Sequence, residues 1–165
     1  MNNHTLLKSV AIIVEIIASI IIYYNFFDIL ITDGSFKGVL GVWFLIPIIA
    51  LVLVQVFVTG SLVHIAMRLI NRKHNATKHD AFVISGLNTT IYSLTYAIFP
   101  ITGPFHYITF TLKETLLTVL FIEILWTTFT IFVIGTALKR TYSVSWFYGL
   151  LLGGISSMLI LSFAS

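Results

Sequence analysis

Two glutamates lie inside long apolar runs, Glu15 within Leu6–Thr32 and Glu123 within Leu116–Leu138. A carboxyl at such depth is costly to bury, so each is a candidate proton or cation site. The competing role is a hydrogen-bonded carboxyl that ties helices together, which is the expectation for a chain with no other transport signature. Counted from the inner end of each run at ~1.5 Å per residue, Glu15, His64 and Asn88 fall at roughly 10–14 Å. By the same count Gln55, Tyr96 and Glu123 fall at roughly 22–24 Å. The polar interior is therefore expected in two layers, Glu15 with His64 and Asn88, and Glu123 with Gln55 and Tyr96. Carboxyls at different depths do not share a proton, which argues against paired-carboxylate acid–base chemistry.

Gly149, Gly153 and Ser157 recur every four residues. That spacing puts three small residues on one helix face, where another helix can approach closely. His74, His79 and Asp80 share one hydrophilic loop, but their spacing matches no defined metal site, and a solvated loop is expected. The sequence has no phosphate-binding glycine loop, nucleophile elbow or zinc-protease helix. His64 has no serine elbow to serve. The chain has no cysteine, which removes disulfides, thiolate metal sites and cysteine nucleophiles. No cofactor or metal is expected, and the chain reads as non-enzymatic.

These residues are carried by five apolar runs, approximately 6–32, 39–71, 81–102, 116–138 and 144–164. Each is long enough for the ~20 residues that cross a bilayer as a helix. Hydrophobic residues make up 58% of the 165, and charged ones only 9%. Soluble chains carry about a quarter charged residues, so this one cannot cover a water-facing surface. The expected fold is all-α, a polytopic membrane helix bundle of about five transmembrane helices in one domain. The first run exceeds the ~7–15 residues of a signal-peptide core and no small-residue cleavage site follows it, so it reads as a retained span. Pro47 is placed to kink the second run.

With the N-terminus in the cytoplasm, the inner regions hold Lys8, Arg68, Arg72, Lys73, Lys78, Lys139 and Arg140. The outer regions hold Lys37 and Lys113. This asymmetry sets the orientation by the positive-inside rule, with the C-terminus outside. It also accounts for the net charge of +3 without nucleic acid, for which no basic stripe with exposed aromatics exists. Tyr23, Tyr24, Trp43, Tyr107, Tyr142 and Trp146 fall near the expected interfaces and read as anchors. On this topology the sequons at Asn3 and Asn75 are cytoplasmic and that at Asn88 is in a helix, so none is glycosylated.

The order of features carries a resemblance. The second run closes on Leu62-Val63-His64-Ile65-Ala66-Met67-Arg68-Leu69-Ile70 before a short polar loop. The third carries Tyr92-Ser93-Leu94 with Tyr96 and Ala97, and ends at Phe99-Pro100. The fourth has Trp126 and closes on Val133-Ile134-Gly135-Thr136-Ala137-Leu138, followed by Tyr142-Ser143-Val144-Ser145 and a glycine-containing last run. From about Leu45 to Leu161 this resembles the Yip family of multi-pass membrane proteins. The resemblance implies five spans and a cytoplasmic N-terminus, and a minimal prokaryotic-like relative in the cell membrane. The long cytoplasmic N-terminal region of eukaryotic members has no counterpart here, and Asn71-Arg72-Lys73-His74-Asn75 stands where they have a glycine-rich loop. Contacts to Rab/Ypt GTPases are therefore not carried over.

The expected function is that of a non-enzymatic membrane protein acting through helix–helix association, as scaffold, assembly factor or accessory subunit. Its expected partners are the lipid bilayer and other membrane proteins or itself. The alternative is a small transporter or channel-like protein with an intramembrane glutamate as its proton or cation site.

Overall fold

The computed structural model describes residues 3–32, 40–98 and 112–164, with side chains placed for 4–24, 45–94, 121, 124–160 and 162. Every regular element among these residues is helical. The five helices are α1 (Asn3–Thr32), α2 (Leu40–Ile70), α3 (Lys78–Ile98), α4 (Leu112–Tyr142) and α5 (Trp146–Ala164). They follow the five apolar runs to within a few residues. The largest difference is α4, which starts at Leu112 rather than Leu116 and continues to Tyr142, past Lys139 and Arg140. A helix does not need to stop where its apolar stretch stops, because its backbone bonds are internal. α2 runs through Pro47 as one element, with the proline exposed.

Two stretches among the described residues, His4–Tyr24 and Leu45–Ile70, are long and apolar enough to cross a membrane. Trp146–Ile160 is apolar but shorter.

α3 is the centre of the bundle and packs against α1, α2, α4 and α5. It is also the helix with a polar interior face: Ser85, Asn88, Thr89 and Ser93 are buried. The large apolar side chains face outward on the surrounding helices. Ile13, Val14 and Ile17 do so on α1, Phe57, Val58 and Ile65 on α2, Phe129 and Phe132 on α4, and Phe147 and Met158 on α5. Two apolar clusters flank the polar centre. One joins Val63, Met67, Ala81, Ile84, Ile134, Leu138 and Tyr142. The other joins Ile12, Tyr23, Ile48, Val52 and Val56.

α4 and α5 form a tight antiparallel pair after the short connection at 143–145. Gly149 and Gly153 lie directly against Gly135 of α4. A Cβ on Gly149 would stand 2.6 Å from the carbonyl oxygen of Gly135, which is backbone and cannot swing aside. The small-residue face of α5 is thus spent within the chain, on α4. Ser157, one turn on, turns to α3 instead and donates to Asn88 Oδ1 at 3.4 Å.

Gly149→Ala should therefore overpack this contact and cost about 1–3 kcal/mol. Gly154→Ala is the matched control, since a Cβ there meets only Ile131 Cδ1 at 3.9 Å. Thermal unfolding in detergent should show a lower midpoint for Gly149→Ala and an unchanged one for Gly154→Ala. Equal midpoints would show that the glycine contact does not hold the pair.

Candidate functional site

The buried polar groups form a seam through the bundle, with α3 supplying one side of most contacts. Glu15 of α1 lies against Gly86: a Cβ there would meet the carboxylate, which would have to swing aside, and would stand 3.3 Å from Glu15 Cβ. One turn along, Ser19 Oγ and Thr90 Oγ1 are 3.1 Å apart, and the Thr90 hydroxyl lies 3.0 Å from the Gly86 carbonyl and 3.3 Å from that of Glu15. On the α2 side Ser85 donates to the main-chain oxygen of Gln55 at 3.0 Å. The Gln55 amide donates to Ile160 O of α5 at 3.1 Å and more distantly to Tyr23 Oη at 3.4 Å. Asn88 donates to Ser156 Oγ at 3.2 Å and accepts from Ser157. Thr89 bonds back to Ser85 O at 3.0 Å, the usual way a hydroxyl is satisfied inside a helix without water.

Three atoms in this region have no hydrogen-bond partner: Glu15 Oε2, Gln55 Oε1 and Thr59 Oγ1 are buried and unsatisfied. Glu15 is the ionisable one. Its carboxyl is set by geometry, with α1 and α3 close enough that Gly86 is the floor of its site.

Among the described residues, the grouping expected from depth changes on α2. Ser85 meets the main-chain oxygen of Gln55 while the next residue, Gly86, meets Glu15, so the Gln55 backbone stands near the level of Glu15 and its side-chain amide reaches on to Tyr23. Asn88 bonds to α5, and His64 bonds to α4, so neither is a hydrogen-bond partner of Glu15. The reason is that the helix ends are not level. Gly60 packs on Ala81 and Phe82 in the first turn of α3, while α2 continues to Ile70, so α2 runs on past the start of α3. Counting from each end therefore placed α2 too far out. The side chains of Tyr96, Glu123, Trp43 and Tyr107 lie outside the described residues.

At the inner end, α2, α4 and the loop between α2 and α3 meet in a second cluster. His64 Nδ1 and Tyr142 Oη are 3.0 Å apart. The His74 ring packs edge-on against Tyr142, centroids 4.8 Å apart, and against His64 at 5.8 Å. His74 Nδ1 accepts from the Ala76 N–H at 3.0 Å, which places the ring proton on Nε2, a buried atom with no partner. Tyr142 is fully buried, and burial holds its phenol well above the usual range, helped by the charge of Asp80.

Asn71 closes the end of α4. Its amide donates to Tyr142 O at 2.9 Å and reaches Ser143 O at 3.5 Å, filling carbonyls that a helix end leaves open. Ser143 has φ of 52°, the left-handed conformation that terminates helices and is most often taken by glycine. α3 is started by Thr77, whose N–H and hydroxyl both donate to Asp80 Oδ2 at 2.8 Å, while Asp80 Oδ1 pairs with Lys8 Nζ at 2.6 Å.

Two of the expected interface anchors are core residues. Tyr23 is buried and bonded to Gln55, and Tyr142 is buried against two histidines. Tyrosines close to an interface can point either way, and only packing decides which. Trp146 does face outward, with Lys139 Nζ 4.4 Å above its ring and Phe132 stacked on it. Of the loop histidines, His74 is half-buried, whereas His79 is exposed with its ring edge-on to Phe82. Among the described residues no three His, Cys, Asp or Glu side chains are grouped as metal ligands would be. Gly86 and Ser85 were not singled out from sequence, and Gly135 and Asn71 entered only through the family resemblance. A glycine in an apolar helix is common enough that nothing marked these as contact points.

In comparisons with family models, curated proteins and solved structures, none matches this chain.

Burial alone would raise the Asp80 carboxyl, but the Lys8 and Thr77 hydrogen bonds outweigh it and hold the group below its ordinary value of 3.8. A carboxylate lowered by folding contributes stability above its unfolded pKa, and loses it as pH falls through the folded one. The thermal midpoint of the chain should therefore exceed that of Asp80→Asn at neutral pH, and the difference should shrink as the pH falls below 3.8 and through the lower folded-state value. A difference that does not change with pH would show that the charge of Asp80 contributes nothing.

Proposed function

We propose that this chain is a multi-pass integral membrane protein whose five helices cross the bilayer, with the N-terminus cytoplasmic and the C-terminus outside. The observation that carries this is the inverted distribution of polarity. Four helices turn large apolar side chains outward around a central helix whose serines, threonines and asparagine are buried. Soluble monomers rarely expose contiguous apolar patches beyond a few hundred Å². In lipid the same surface is matched to its solvent. The basic residues support the orientation, and the resemblance to the Yip family agrees with it. The proposed setting is a prokaryotic cell membrane.

Within that setting the chain acts without catalysis, by associating with other membrane proteins or itself as scaffold, assembly factor or accessory subunit. Most of its buried polar side chains are committed to holding its own helices. Because Gly149 and Gly153 are spent on α4, association runs through the outer apolar faces instead. Extracted from its own membrane in mild detergent, the chain should travel in a particle whose protein mass exceeds the 18.5 kDa of one copy. A protein mass of one copy alone, measured by light scattering, would refute association. Asn75 is exposed in the loop before α3, and the chain has no cysteine. A cysteine placed there should react with an impermeant maleimide only after cells are opened. Labelling of intact cells would reverse the topology.

Glu15 supports a second reading, because its buried Oε2 has no partner. In a transporter this carboxyl would take up and release a proton or cation between α1 and α3. On the first reading, proteoliposomes carrying the wild-type chain should collapse an imposed pH gradient no faster than empty ones. A wild-type flux that Glu15→Gln abolishes, with the fold intact, would replace the scaffold reading with the transporter.

A further inference from the structure

A polar cavity of about 400 Å³ opens at the inner end of the bundle, within the ~300–1,000 Å³ range of small-ligand sites. Its walls include Asn71, Lys73, His74, Asp80, Thr141 and Ser143, brought together from the loop before α3, the start of α3 and the end of α4. The walls are held rigidly by bonds already described. Asn71 fixes the end of α4, and His74 is pinned between the Ala76 N–H and the Tyr142 ring.

The charge around this cavity is one-sided. Asp80 is the one acidic side chain described at this end, and both its oxygens are committed, one to Lys8 and one to Thr77. Lys73 in the wall has no acidic partner among the described residues, nor do neighbouring Arg72, Lys78 and Arg140. The unspent side-chain groups of the wall therefore include the Lys73 ammonium and the hydroxyls of Thr141 and Ser143, with no free carboxylate beside them. A cation finds no free carboxylate here. A group with several anionic oxygens finds a complement.

We propose that this cavity binds a phosphate group, and that the phosphate is carried by the headgroup of an anionic phospholipid of the inner leaflet. The source rests on the membrane reading above, which puts the cavity at the depth of the cytoplasmic headgroups, where basic pockets between helix ends take such lipids. Lys73 supplies the charge, Thr141 and Ser143 supply hydroxyl donors, and His74 forms the floor. Asp80, kept neutral in effect by Lys8, shapes the wall without repelling the ligand.

The test uses the full chain in nanodiscs of phosphatidylglycerol and phosphatidylcholine, with retained lipid counted by native mass spectrometry. The wild type should retain phosphatidylglycerol in preference, and Lys73→Gln should lower that preference about fivefold, the effect of one basic residue near a headgroup. Arg140→Gln removes an equal charge outside the cavity wall and should leave the preference unchanged. His74→Phe keeps an aromatic floor but releases the Ala76 N–H that His74 Nδ1 holds, which loosens the loop that carries Lys73, and should also lower retention. Lys73 is exposed, so loss of folding does not cloud the first variant. Equal retention by wild type and Lys73→Gln, or an equal fall in Arg140→Gln, would overturn the proposal in favour of diffuse surface charge. Displacement of the lipid by sn-glycerol 1-phosphate would keep the phosphate site and assign it to free phosphate esters, whereas resistance to displacement assigns it to the lipid. Extraction with alkaline carbonate is read separately. A chain that leaves the membrane yet binds sn-glycerol 1-phosphate would defeat the membrane reading and leave the cavity standing.

Discussion

Hydroxyl and amide groups on α3 have no water to bond once four helices surround them, and burying each without a partner costs several times what the bond itself contributes. The rest of the architecture follows from satisfying them. Thr89 and Thr90 bond back to their own helix, while Ser85, Asn88 and Thr90 reach main-chain or side-chain atoms on α2, α5 and α1. Interhelical bonds inside membranes are worth only about 0.6 kcal/mol on average. Their weight here is directional: each has a fixed partner on a named helix, so together they set which helix stands next to α3 and in which register. Apolar packing alone would accept many registers, because the hydrophobic effect is non-directional.

Close approach supplies the second constraint, and glycines provide it. Gly86 lets α1 come near enough for Glu15 to lie on α3, and Gly135 with Gly149 and Gly153 lets α4 and α5 touch through backbone. Dispersion grows steeply as surfaces meet, so these contacts add attraction where the helices come closest. The inner end is then fixed by polar bonds of a different kind. Asn71 caps α4, His64 meets Tyr142, and Asp80 both starts α3 and holds Lys8 of α1. Three chain segments distant in sequence are locked there, and the cavity is what their side chains leave between them.

This division bears on function. The seam along α3 is mostly saturated and reads as structure, with the buried Oε2 of Glu15 as the ionisable exception. The inner-end cavity is lined by donors that the fold does not use. A group placed to do something beyond holding the bundle together is expected among such unspent atoms, in either place.

The sequence by itself determined that the chain is helical, where the five helices run, and which residues are small or polar enough to matter. These properties depend on local pattern: the length of apolar runs, the turn residues between them, and the four-residue recurrence of Gly149, Gly153 and Ser157. It also marked Glu15, Gln55, His64 and Asn88 as buried polar groups, because each stands inside an apolar run. Their partners were decided only by tertiary structure. Depth along a helix can be counted, but rotation about its axis and the offset between helix ends cannot. The last turns of α2 run past the start of α3, and that offset set the Gln55 backbone beside Ser85 and sent His64 to Tyr142. The same offset sets Asn71 under the end of α4 and His74 against Tyr142, and so makes the cavity. A site assembled from the ends of different helices depends on their relative displacement, which no single segment encodes.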